Sequence, residues 1–256
     1  LGAMGWYASW LGREREERFS FPNMNVQEVS RNITGHQGNV LGEAETRPLL
    51  AAYGLDLIPG GLAINAEEAV RIAEDTGYPV AIKIVSPQIL HKSDMGGIRL
   101  NLEDEKALRE GLVSMAEKIH QKAPDAQIQG YLVERMAPKG IEVIVGMRRD
   151  PTFGPLMMFG LGGVTVELFK DVGFGVAPLT PDQARDMIET TRAGRLLKGY
   201  RGEPVYDVEA VIEAIGRLSQ FALEHPEISE AEINPLLVLP EGQGVLVLDA
   251  RMILKA

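Results

Sequence analysis

The sequence contains no cysteine, and this absence removes several kinds of chemistry at once. Disulfide bonds, thiolate nucleophiles and zinc sites built on thiolates are all excluded. A chain without disulfides fits the reducing cytosol, so we expect a cytoplasmic protein.

Long apolar runs and an excess of positive charge are missing as well. The longest apolar runs, such as residues 156–161, fall far short of the roughly 20 residues that a membrane-spanning helix needs, and the start lacks the pattern of a secretory signal. With 26 Lys and Arg against 36 Asp and Glu, the net charge is −10. This balance argues against DNA or RNA as the main partner, whereas a small anion such as a nucleotide could bind wherever a few cations lie together.

The patterning of the chain changes near residue 40. The chain is 45% apolar and 24% charged, as globular proteins are. Because residue 1 is Leu rather than Met, we expect a segment of a longer polypeptide. Residues 1–40 are interpreted as a linker or a tail that docks on another domain, with a disordered terminus as the alternative.

The rest of the chain mixes helical and strand patterns, which predicts an α/β or α+β class with partly antiparallel sheets. Asn65 and Thr180 are expected to cap helices. The predicted helices are 43–53, 66–76, 103–122, 181–191 and 207–224. The predicted strands are 80–85, 98–102, 128–135, 142–147, 156–159, 231–239 and 244–249, with 128–135 and 142–147 paired around the turn at 138–140.

The segment from Lys83 to Gly97 contains the most informative group of residues. Lys83 lies in an otherwise apolar strand, where an unpaired ammonium is costly, so it requires an anion or a glutamate partner. His91 follows eight residues later in a polar loop, before a glycine pair. A neutral imidazole is a good nucleophile, so this segment could hold and transfer a phosphoryl group.

Two sets of oxygen donors occur further along the chain. Glu134 and Glu142 would face one cleft if their strands pair, where carboxylates could bind ribose hydroxyls or Lys83; two surface glutamates on a hairpin are the alternative. Glu232 and Asn234 share a strand face, and Asp249 ends an apolar strand. Oxygen donors of this kind suit Mg²⁺, which completes its shell with phosphates and water.

Taken together in their order, these motifs resemble the ATP-grasp (beta) portion of the ADP-forming acyl-CoA synthetases, relatives of succinyl-CoA synthetase. The similarity covers about residues 43–254. The motifs that carry it are YPVAIK (78–83), SPQILHKSDMGG (86–97), EVIVG (142–146), RDPTFGP (149–155), FGLGG (159–163), APL (177–179), EINPL (232–236) and LDAR (248–251).

The resemblance implies an ATP-grasp fold, in which two α+β lobes grip a nucleotide. The expected ATP-grasp domain is 41–256, with an inserted lobe of about 57–130 and a remaining lobe of 41–56 and 131–256. Lys83 would contact the phosphates of ATP or ADP. Glu134, Arg135 and Met136 would form the hinge against adenine, and Glu142 would be a second nucleotide-contacting carboxylate.

The same resemblance implies a metal site and a phosphoryl relay. Asn234 and Asp249 would hold Mg²⁺, with Glu232 nearby. His91 would carry the phosphoryl group between a histidine of the CoA-binding part and ADP. The implied reaction is reversible: acyl-CoA, ADP and phosphate give acid, ATP and CoA.

The domains that bind CoA and carry the first histidine of the relay have no counterpart in this sequence. We therefore expect a CoA-binding alpha subunit or fused N-terminal domains as partners, an oligomer in the full assembly, and no thioester synthesis by this chain alone. A nucleotide-sensing regulatory domain, of the kind that some protein acetyltransferases carry, is the alternative. The presence of His91, Asn234 and Asp249 favours the enzyme.

Overall fold

The computed structural model describes residues 17–22, 24–36, 38–89, 92–162, 171–199, 202 and 204–255. Its helices are α1 (Val26–Gly35), α2 (Glu43–Ala52), α3 (Ala66–Thr76), α4 (Lys92–Met95), α5 (Glu105–Lys122), α6 (Pro181–Glu189), α7 (Arg192–Leu197) and α8 (Val208–Glu224). Its strands are β1 (Val40–Leu41), β2 (Gly60–Ala63), β3 (Val80–Val85), β4 (Ile98–Leu102), β5 (Gly130–Arg135), β6 (Ile141–Asp150), β7 (Gly154–Leu161), β8 (Val172–Val176), β9 (Ile228–Val238), β10 (Val245–Val247) and β11 (Ala250–Leu254).

The strands form two separate antiparallel sheets. The larger sheet has the order β1-β11-β9-β6-β7-β8, with β10 paired to β9, and the smaller sheet has the order β2-β5-β3-β4. Each sheet has helices against it and a hydrophobic core of its own. The prediction of mixed lobes with antiparallel sheets is therefore confirmed.

Local sequence explains where the main helices begin. The side chain of Asn65 accepts a hydrogen bond from the Glu68 backbone N–H at 2.9 Å, and Thr180 forms a capping box with Gln183. Both predicted caps are confirmed. Because these side chains satisfy backbone donors that lack an intrahelical partner, they fix the first turns of α3 and α6.

The core of the larger lobe lies on one face of its sheet. Along β9, Ala231 and Ile233 are buried against the helices, whereas Glu232 and Asn234 are only partly buried on the opposite face. This alternation follows from the two-residue period of a strand. The polar face of the larger sheet is therefore turned away from its helices.

The structure corrects two predictions about chain organisation. Residues 26–35 are not part of a linker or tail, because they form α1, whose Val29 and Ile33 are buried in the core of the larger lobe. Strands β5 and β6 do not pair with each other, since β5 lies in the smaller sheet and β6 lies between β7 and β9 in the larger one. The smaller sheet thus extends to residue 135, past the expected lobe boundary near 130, and the segment 136–140 connects two sheets instead of closing a hairpin.

Within the described ranges, no helix combines the length and the apolar character needed to cross a membrane.

Candidate functional site

Lys83 lies at the centre of a buried group of charges. It is only 9% exposed, and its Nζ lies 2.8 Å from Glu43 Oε1 and 2.7 Å from Glu134 Oε2. Its ammonium also donates to the backbone carbonyl of Leu248. Burial alone would lower the pKa of Lys83, but the two carboxylates outweigh burial and raise it above its usual value, so the ammonium stays charged.

Glu134 takes part in the same group from the neighbouring strand of the smaller sheet. Its side chain is buried and accepts from both Lys83 and the Arg47 guanidinium. Arg47 also donates to the carbonyl of Ile58 at 2.6 Å. Pairing of a buried carboxylate with two cations offsets the cost of removing all three charges from water.

A cavity of about 550 Å³ opens beside these charges, between the two sheets. Its size lies within the range of small-molecule sites. The residues that line it are Ile58, Ala81, Lys83, Leu100, Glu134, Arg135, Met136, Ala137, Pro138, Lys139, Gly140, Glu142, Tyr206, Leu237 and Leu248. All five residues that the sequence assigned to nucleotide binding are among them, and apolar side chains from both lobes form much of the wall.

Glu134 and Glu142 reach this cavity by a route that differs from the predicted one. They do not lie on paired strands, because Glu134 is at the end of β5 in one sheet and Glu142 is at the start of β6 in the other. The connecting segment lines the cavity between them. The two glutamates therefore reach one cavity because the chain passes there from the smaller sheet to the larger one.

Three charged residues of the site were missed by the sequence analysis. Glu43 and Arg47 lie one turn apart on α2 and pair with Lys83 and Glu134, and Lys92 pairs with Glu43 at 2.6 Å. The feature of the sequence that could have indicated the carboxylate was Lys83 itself, because a buried lysine requires anionic partners. The position of Glu43 in the first turn of a helix does not distinguish it, because acidic residues are favoured there by the helix dipole.

Asn234 and Asp249 lie next to each other, as predicted. The Asn234 backbone N–H donates to the Asp249 carbonyl at 2.9 Å, although Asn234 is inside β9 and Asp249 precedes β11, so neither residue ends a strand. The Asp249 carboxylate is 3.0 Å from Lys92 Nζ. Burial, and then the nearby Glu43 carboxylate, raise the pKa of Asp249 to about 6.

Glu232, which was predicted to lie near the metal pair, is beside Asn234 in the structure. Its carboxylate is 2.8 Å from Arg251 and lines a different cavity, of about 390 Å³, on the polar face of the larger sheet. The Asn234 amide donates to Glu232 at 3.1 Å, which links Glu232 to the predicted metal pair. Among the described residues, no three His, Asp or Glu side chains are grouped as a metal site.

One carboxylate and one amide still fit Mg²⁺, which commonly takes one or two carboxylates together with phosphates and water. His91, the predicted phosphoryl carrier, lies outside the described residues. Its neighbour in the sequence, Lys92, places the start of α4 beside Asp249.

Comparison with known families and structures agrees with this geometry. The ATP-grasp domain family matches residues 32–254. The beta subunit of ADP-forming acetate–CoA ligase I from Pyrococcus furiosus is 45% identical over 214 residues, which cover 84% of this chain and 91% of that subunit. ADP-forming acetate–CoA ligase I from Archaeoglobus fulgidus is 40% identical over 99% of this chain, but the chain spans only 37% of that protein's length.

Among solved structures, acetyl-coenzyme A synthetase 1 from Candidatus Korarchaeum cryptofilum, in complex with coenzyme A and Ca-AMPCP, superposes with a TM-score of 0.83. It is 42% identical, and the alignment covers 90% of this chain and 98% of that one. Because the family match spans most of the sequence and the Pyrococcus subunit is covered almost completely, the chain belongs to the ATP-grasp domain family, within the group formed by the beta subunits and beta portions of ADP-forming acyl-CoA ligases.

Proposed function

We propose that this chain is the nucleotide-binding, phosphoryl-transferring part of an ADP-forming acyl-CoA synthetase. The observation that carries the proposal is the cavity between the two sheets, which brings Lys83, Glu134 and Glu142 together with the segment 135–140. An apolar wall suits the purine base of a nucleotide, and a buried ammonium at the same cavity suits the phosphates of that nucleotide. The ligase names of the relatives favour this function over a regulatory nucleotide sensor.

In this proposal, His91 carries the phosphoryl group during ATP formation. A terminal phosphate oxygen of ADP attacks the phosphorus, the new P–O bond forms as the N–P bond breaks, and the imidazole leaves with its electron pair. Lys83 balances the charge of the nucleotide phosphates during transfer. Asn234 and Asp249 would hold Mg²⁺, which would offset the negative charge of the nucleotide phosphates when bound.

The partner in this proposal is a CoA-binding alpha subunit or a fused domain, and the assembly is cytoplasmic. Relatives include both a separate beta subunit and longer chains. Another Korarchaeum structure, 39% identical with a TM-score of 0.77, contains Mg-AMPPCP and a phosphohistidine segment that points towards the nucleotide-binding site. In the proposed assembly, a histidine segment of the CoA-binding partner would pass the phosphoryl group to His91 of this chain.

Two measurements test the proposal. In calorimetry, wild-type protein should bind Mg²⁺ with ADP, and Lys83→Met should weaken binding by about 1.5–3 kcal/mol, the usual contribution of a charge-assisted hydrogen bond. Lys139→Met, which removes a lysine from the same cavity outside the buried group, is the matched control and should have a smaller effect. Wild-type affinity in the Lys83 variant would remove this lysine from the site.

The second measurement concerns His91. Incubation with Mg²⁺ and γ-labelled ATP should give an acid-labile, base-stable phosphate that is absent in His91→Ala, although that variant still binds nucleotide. Because attack requires the neutral imidazole, labelling should fall below about pH 6.5, the ordinary histidine pKa. Equal labelling of the variant and the wild type would exclude His91 as the carrier.

A further inference from the structure

Lys92 contacts two carboxylates beside the predicted metal position. Its Nζ lies 3.2 and 3.0 Å from the two carboxylate oxygens of Asp249 and 2.6 Å from Glu43 Oε2. The side chain is 16% exposed, so most of it is removed from water. One ammonium thus bridges two carboxylates that belong to different parts of the chain.

The charges around Lys92 are balanced without a metal. Three cations, Lys83, Lys92 and Arg47, are joined by the ion pairs above to three carboxylates, Glu43, Glu134 and Asp249. A divalent cation that entered this group unaccompanied would leave it with two uncompensated positive charges in a poorly solvated place. Repulsion between like charges is strongest in such surroundings.

Distance also prevents the metal and Lys92 from occupying the same side of the Asp249 carboxylate. Magnesium binds carboxylate oxygens at about 2.0–2.1 Å. An ion at that distance, on the side of Asp249 where Lys92 lies, would overlap the ammonium, which is 3.2 and 3.0 Å from the two oxygens. On that side of the carboxylate, one cation therefore excludes the other.

We propose that Lys92 is an internal counter-cation that holds Asp249 in the nucleotide-free protein and is exchanged for the divalent metal when the metal–nucleotide complex binds. The proposal rests on the metal-binding role of Asp249 proposed above. After the exchange, the ammonium keeps Glu43 as a partner and can pair with the phosphates that arrive with the metal. Lys92 is thus a positioning residue, and it makes binding of the metal depend on the nucleotide.

Binding of Mn²⁺, followed by the electron paramagnetic resonance signal of the free ion, tests the proposal without measuring turnover. Without nucleotide, Lys92→Met should bind Mn²⁺ at least about tenfold more tightly than wild type, because the competing charge is gone. Lys92→Arg keeps the charge and should restore weak binding. With ADP present, the advantage of Lys92→Met should shrink, since the variant also lacks a phosphate partner.

A matched control distinguishes competition between Lys92 and the metal from a loosening of helix α4. Lys122 holds the same short helix by donating to the Asp94 carbonyl at 2.8 Å, without contacting a carboxylate of the site. Lys122→Met should therefore leave Mn²⁺ affinity unchanged. If Lys92→Met is less stable than wild type, Mn²⁺ should raise its melting temperature more than that of wild type, because a ligand stabilises the state that it binds.

The outcomes separate this inference from the proposed function. Unchanged or weaker Mn²⁺ binding by Lys92→Met, with normal Mn²⁺–ADP binding by wild type, would overturn the exchange and leave the nucleotide site intact. Failure of the wild type to bind Mn²⁺ together with ADP would overturn both. A similar gain in affinity in Lys122→Met would show that helix docking, and not charge competition, controls the metal.

Discussion

Glu43 and Lys83 form a 2.8 Å ion pair that joins the two lobes of the protein. Glu43 begins α2, which packs on the larger sheet, whereas Lys83 is in the smaller sheet. The other oxygen of Glu43 holds Lys92. Burial would raise the pKa of Glu43, but the two lysines outweigh burial and lower it, so the carboxylate stays ionised between them.

Removal of this carboxylate should destabilise the fold strongly. Glu43→Gln leaves two lysines without their shared partner in a poorly solvated place, and loss of one member of a buried pair costs about 3–5 kcal/mol. Urea unfolding should show this decrease in the free energy of unfolding. Glu67→Gln, which breaks an exposed pair with Arg109, is the control and should change stability little. Similar effects of the two substitutions would contradict the burial argument.

A second prediction concerns Gly60, which pairs with Glu134 across β2 and β5. A Cβ atom at residue 60 would overlap the Val133 carbonyl oxygen and approach Glu134 Cα to 2.8 Å. Gly60→Ala should therefore shift β5, lower stability by about 1–3 kcal/mol as overpacked sites do, and weaken nucleotide binding through Glu134.

Gly35 provides the matched control for this substitution. A Cβ at residue 35 meets no atom within 4 Å, so Gly35→Ala should be neutral or stabilising by up to about 1 kcal/mol. Differential scanning calorimetry and a nucleotide titration would measure both effects. Unchanged stability and binding in Gly60→Ala would show that the strands adjust without moving the site.

A third prediction concerns pH and His225, which is fully buried and lies 2.8 Å from the Tyr53 hydroxyl. Burial lowers the pKa of His225 below its usual 6.5, against the opposing effect of Glu227. Below about pH 6.5 the unfolded chain therefore binds a proton that the folded chain does not. The free energy of unfolding should fall as pH drops from this value until the folded-state pKa is passed.

Urea unfolding at pH 7.5 and 5.5 checks this sign. His225→Gln should lose less stability than wild type between the two pH values, because it lacks the histidine that takes up a proton on unfolding. The carboxylates common to both proteins contribute equally and cancel in the comparison. An equal or larger loss in the variant would show that His225 is protonated in the folded protein.

Motif and charge arguments selected several residues that the structure brings to one cavity. Lys83, Glu134 and Glu142 could be predicted because a lysine in an apolar strand requires anions, and because a family resemblance assigned the glutamates. Arg135 and Met136 followed from the same resemblance. The structure places all five around one cavity.

The errors have a common physical cause, which is that sequence patterns report local structure but not which strands pair. Pro138 and Gly140 between two apolar runs are typical of a hairpin turn. In this fold, each flanking strand instead pairs with partners that are distant in sequence, so the same turn residues connect two sheets. Glu43 and Arg47 were missed for a related reason, since their contacts with Lys83 and Glu134 form only when the lobes come together.

The last prediction distinguishes the members of the proposed metal set. Asp249→Asn removes the charge closest to the proposed ion and should weaken Mg²⁺ binding in the presence of ADP by at least about tenfold, the order of loss found when groups around a metal are changed. Glu232→Gln keeps an oxygen that can accept from the Asn234 amide and loses only the pair with Arg251. The loss of Mg²⁺ affinity in Glu232→Gln should therefore be smaller than in Asp249→Asn, below about threefold.

Calorimetric titration of Mg²⁺ into each variant with saturating ADP measures both losses of affinity. A larger loss in Glu232→Gln than in Asp249→Asn would place the ion on the polar face of the larger sheet, beside Arg251, and would exclude the site between the lobes.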